Sequence, residues 1–94
     1  MLVLPSELTH AQAVPCARML AQGIQAETGD VVVADASALG AEAARFDSSA
    51  LAVLLECRRE ALALGKGFAV RGLPARLREL AGLYGVAELL PAAA

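Results

Sequence analysis

Residues 30–35 read Asp30-Val31-Val32-Val33-Ala34-Asp35. Three consecutive valines without polar alternation predict a strand buried on both faces, as in a parallel sheet covered by helices. Toward the N-terminus, Leu2 to Leu4 is a short apolar run ended by Pro5, which predicts another strand. Thr9 to Val14 reads as a turn region. Pro15 suits a first helical position, where its missing N–H would be unpaired anyway. Cys16, Met19, Leu20 and Ile24 then recur at helical spacing. They predict an amphipathic helix from about Pro15 to Glu27, stopped near Gly29.

Downstream, Ser37 to Arg45 is a small-residue connector with room for a helical turn. Asp47-Ser48-Ser49 opens what reads as the longest helix, running to about Leu64. Asp47 is a capping candidate because its carboxylate can accept unpaired first-turn N–H groups. Ala50, Val53, Leu54, Cys57, Ala61 and Leu64 share one face of this helix and predict a core stripe, with Glu56 and Glu60 outside. Gly65-Lys66-Gly67 ends it, and Phe68 to Arg71 reads as a strand. Gly72-Leu73-Pro74 turns into a third helix whose inner face carries Leu77, Leu80, Ala81 and Tyr84, with Gly85 as its C′ residue. Val86 to Leu90 predicts a last short strand, and Pro91 to Ala94 a tail.

Strand and helix therefore alternate throughout. The pattern predicts an α/β fold with a mainly parallel sheet of about four strands and three main helices. The 94 residues make one domain, 1–94. Its apolar fraction, 57%, is high for a small monomer and hints at a partner, although alanine supplies much of it.

Composition excludes several function classes. The net charge is −2, and Arg58, Arg59, Arg76 and Arg78 sit beside Glu56, Glu60 and Glu79, so they read as solvated helix faces rather than a nucleic-acid footprint. Phe46, Phe68 and Tyr84 are too few for a base-stacking platform. The longest apolar run, Ala50 to Leu55, is far short of the ~20 residues of a membrane span, and residues 1–5 lack the character of a signal peptide. A cytoplasmic protein without direct membrane insertion is expected. Cys16 and Cys57 lack C-x-x-C spacing and read as free core thiols. Gly65-Lys66-Gly67 follows a helix, the reverse of a phosphate-binding loop. His10 has no partners for a catalytic triad or metal cluster. No enzymatic activity, metal or cofactor is expected.

The stretch Arg45-Phe46-Asp47-Ser48-Ser49-Ala50-Leu51 is the one that suggests a function. On physical grounds it is an acidic, hydroxyl-rich helix start, where unpaired N–H groups meet the positive end of the macrodipole. Simple capping by Asp47 or Ser48 would account for it. Asp47-Ser48-Ser49-Ala50-Leu51 also resembles the Asp-Ser-Ser-Gly-Leu signature of anti-sigma-factor antagonists, a STAS-domain family in which the serine after the aspartate is phosphorylated; that serine is Ser48 here. Val31 to Ser37 looks like the STAS strand that ends in an aspartate.

A second resemblance is closer. Glu7-Leu8 before Pro15, Gly72-Leu73-Pro74, Leu77, Leu80-Ala81, Leu83-Tyr84-Gly85-Val86 and Leu89-Leu90-Pro91 resemble the STAS subunits of Mla-type phospholipid ABC transporters. The resemblance covers about residues 2–91. It departs in a longer connector over 38–45, in Ala50 for glycine, and in having no residues for the family's extra N-terminal strand.

This resemblance implies a STAS fold and a non-enzymatic protein. Its partner would be the ABC transporter ATPase subunit, and through it the permease complex, in a system that maintains outer-membrane lipid asymmetry. The chain would sit in the cytoplasm, peripheral to the inner membrane through that partner. The implied partner-binding residues are Asp47, Ser48, Ser49, Leu51, Ala52, Leu55 and Arg59, with Ser48, Leu51, Ala52, Leu55 and Arg59 along one side of the helix. The alternative implied by the first resemblance is a phospho-switch regulated at Ser48.

Overall fold

The structure is a computed structural model that describes residues 1–93. Three parallel strands, β1 (Leu2–Val3), β3 (Val31–Asp35) and β5 (Gly67–Arg71), form the main sheet in the order β1-β3-β5. Val31 to Asp35 pairs in register with Gly67 to Arg71, and Leu2-Val3 with Ala34-Asp35. Because all three strands run the same way, each link between them must cross over. Helix α1 (His10–Ala26) makes the first crossover and α2 (Ser49–Ala63) the second. Helix α3 (Ala75–Leu83) follows β5. The expected α/β architecture with three helices and parallel strands is present.

One face of the sheet meets the helices. Leu2, Val32, Ala34, Phe68 and Val70 are buried there with Cys16, Leu20 and Ile24 of α1 and Val53, Leu54, Cys57 and Ala61 of α2. Each fully buried leucine or valine contributes roughly 1.5–3 kcal/mol. The other face is open: Val3 is 60% and Val31 52% exposed. The three valines therefore alternate, with only Val32 fully buried. The prediction of burial on both faces fails because the helices all pack on one side.

Other expectations need correction. Helix α1 begins at His10, not Pro15, and at 17 residues is longer than the 15-residue α2. Gln12 makes the early start possible: its Oε1 accepts the Thr9 N–H at 2.9 Å and the Thr9 hydroxyl at 2.6 Å. Pro15 is tolerated inside the helix at an exposed position, where the carbonyl its N–H would have served can meet water. Met19, Leu64 and Tyr84 lie outside their predicted core faces, at 56%, 46% and 61% exposure. Glu56 and Glu60 are half-buried rather than exposed.

The last correction is at the C-terminus. Ala87–Leu89 is a 3₁₀ turn instead of a strand. The sheet gains its next partner slightly later. The Val70 N–H donates to Pro91 O at 2.8 Å, and the Ala93 N–H donates to Val70 O at 2.9 Å. Ala92 thereby bridges Val70 in parallel.

A second, two-stranded parallel sheet was not foreseen. It joins β2 (Glu7–Leu8) to β4 (Arg45–Phe46), in the register Glu7↔Arg45 and Leu8↔Phe46. Its strands directly precede α1 and α2. It therefore sets the starts of those helices side by side, and this placement builds the site.

Candidate functional site

The site forms at the end of the sheet where the strands finish and the helices begin. Leu8 is fully buried, and half-buried Phe46 packs against the core. These two side chains anchor β2 and β4, and one residue further along the chains stand Thr9 and Asp47. The Asp47 carboxylate has two tasks. Its Oδ1 accepts the Ser49 N–H at 2.8 Å, and its Oδ2 accepts the His10 N–H at 3.1 Å. One side chain thus satisfies a first-turn donor of α2 and one of α1. Those bonds, that from Ser49 first and that from His10 second, hold the Asp47 carboxyl below its ordinary range.

Because Asp47 caps, Ser48 need not. Ser48 has helical backbone angles, φ −61° and ψ −16°, and makes no side-chain cap bond. Its carbonyl accepts the Leu51 N–H at 3.1 Å, while its side chain is exposed. Among the described residues its hydroxyl has no hydrogen-bond partner, so it can donate and accept at the surface.

The other predicted site residues separate by face. Ser49 is half-buried, and Ala52 is exposed. Leu51 is only 3% exposed and belongs to the core. Leu55 is half-buried against it. Arg59 is exposed and engaged on its own helix, with Nη2 2.5 Å from Glu56 Oε1. That hydrogen bond, together with the Glu56 charge, keeps the guanidinium further from deprotonation. Along α2, Ser48, Ala52 and Arg59 are thus exposed, while the two leucines widen the core face. Ala50 is fully buried. Its methyl, the departure from glycine, points into the protein and away from the exposed surface.

Two neighbouring groups were not among the predicted site residues. The Arg76 guanidinium, in the first turn of α3, stands 5.4 Å from the centre of the Phe46 ring. Asp35, at the end of β3, accepts the Ser37 N–H at 2.9 Å and the Ser37 hydroxyl at 2.5 Å. The hydroxyl bond and then the N–H bond hold its carboxyl below the usual range. Gly72 lies against this loop: a Cβ there would fall 2.8 Å from the Ser37 Cβ, and its φ of +68° suits glycine. The starts of α1, α2 and α3 thus share one end of the molecule.

Among the described residues, no three His, Cys, Asp or Glu side chains cluster as a metal site. Nor is any helix long and apolar enough to cross a membrane. A cavity of about 200 Å³ lies elsewhere, lined by Val70, Leu73, Arg78 and Leu90 among others, without Asp47, Ser48 or Ser49.

The family model described as "Mlab, STAS domain" matches residues 1–91. No curated protein matches the chain.

Proposed function

This chain belongs to the Mlab-type STAS-domain family, and we propose on that premise that it is a non-enzymatic subunit of a phospholipid-transporting ABC complex. It binds the ATPase subunit and supports that subunit's assembly and activity. The ATPase hydrolyses ATP; this chain needs no cofactor and catalyses nothing. It works in the cytoplasm and reaches the inner membrane only through its partner, in a system that maintains outer-membrane lipid asymmetry.

The observation that carries the reading is the division of labour between Asp47 and Ser48. A helix start fixed from both sides by Asp47 leaves Ser48 exposed, with its hydroxyl free. Rigid placement lowers the ordering cost of docking. Ala52 and Arg59 continue the surface along α2.

The test is to purify the transporter with and without this chain and measure complex yield and ATP hydrolysis. Loss of either on removal is expected, with no phosphorylation needed. Full yield and full activity without the chain would refute the reading.

A second reading keeps the same residue. The Asp47-Ser48-Ser49 motif and the free Ser48 hydroxyl also suit a phospho-switch that acts on an anti-sigma factor or kinase. A phosphate there would meet the first-turn N–H groups of α2. Stoichiometric phospho-Ser48 in cells, with a dedicated kinase, would favour this second reading.

A further inference from the structure

We draw no further inference here: the strongest candidate, the cavity of about 200 Å³ between β5, α3 and residues 87–92, is walled by Val70, Leu73, Ala81 and Leu90 with Arg78 as its one charged side chain, and nothing in the structure shows what fills it.

Discussion

The Asp47 carboxylate accepts the His10 N–H at 3.1 Å, across 37 positions of sequence. The same carboxylate accepts the Ser49 N–H. Helices α1 and α2 therefore share one cap, placed by the pairing of β2 with β4. This contact ties the core-forming helices to the surface that carries Ser48.

Removing the cap should loosen both helix starts. Asp47→Ala is expected to lower thermal stability at neutral pH and to raise amide exchange at His10 and Ser49. The pH dependence follows from the direction of the shift. The folded pKa of Asp47 lies below the ordinary value of 3.8, so its ionised form is favoured by folding. Its contribution is present above the unfolded pKa and lost as pH falls through the depressed folded pKa. The gap between wild type and Asp47→Ala should therefore be constant at neutral pH and close below about pH 4. A gap that stays open in strong acid would contradict the capping role.

Packing gives a second contrast. Leu54 is fully buried, whereas Leu62, two turns on, is 46% exposed. Leu54→Ala should cost ~2–5 kcal/mol of stability by leaving a cavity. Leu62→Ala should stay within about 0.5 kcal/mol of wild type. Denaturant unfolding of both variants measures this difference, and equal losses would refute the assigned face.

The thiols should be slow to react. Burial pushes the Cys57 thiol up to about 12 and raises Cys16 as well. At pH 8, a thiol with a pKa near 12 is ionised roughly one part in ten thousand, and the thiolate is the reactive form. Native-state labelling of both cysteines should be far slower than labelling in denaturant. Rapid labelling of both under native conditions would contradict their burial.

The features legible in the sequence were those with long apolar patterns. The α2 stripe from Ala50 to Ala61 is buried as its spacing predicts, and Gly85, with φ of +71°, closes α3. Features made by two distant short segments were not legible. Glu7–Leu8 and Arg45–Phe46 are two residues each, too short to show any period. Yet they decide which residue Asp47 can reach. Pro15 misdirected the start of α1 because it suits a first turn, and the Thr9–Gln12 pair that starts the helix was not read as a signal. The Asp47-Ser48-Ser49 motif marked a helix start, and α2 begins at Ser49. Asp47 caps α2 as its position suggested, whereas its second bond, to the His10 N–H, and the approach of Arg76 to Phe46 were not legible.

The central claim is that Ser48 faces a protein partner, and one binding measurement tests it most directly. Ser48 is exposed at a helix start, so Ser48→Glu has room and should leave the fold intact. A carboxylate there even gains ~0.3–1 kcal/mol from the macrodipole. In a packed interface the same charge must be desolvated, at a cost of several kcal/mol if it stays unpaired. Ser48→Ala should lose about the value of one hydrogen bond, ~1 kcal/mol. Binding of wild type and both variants to the purified ATPase subunit should show a loss of about tenfold or more for Ser48→Glu, which corresponds to ~1.4 kcal/mol. Similar thermal unfolding of the three proteins must accompany that loss. Wild-type affinity in Ser48→Glu would contradict the account and place the partner on another face of the protein.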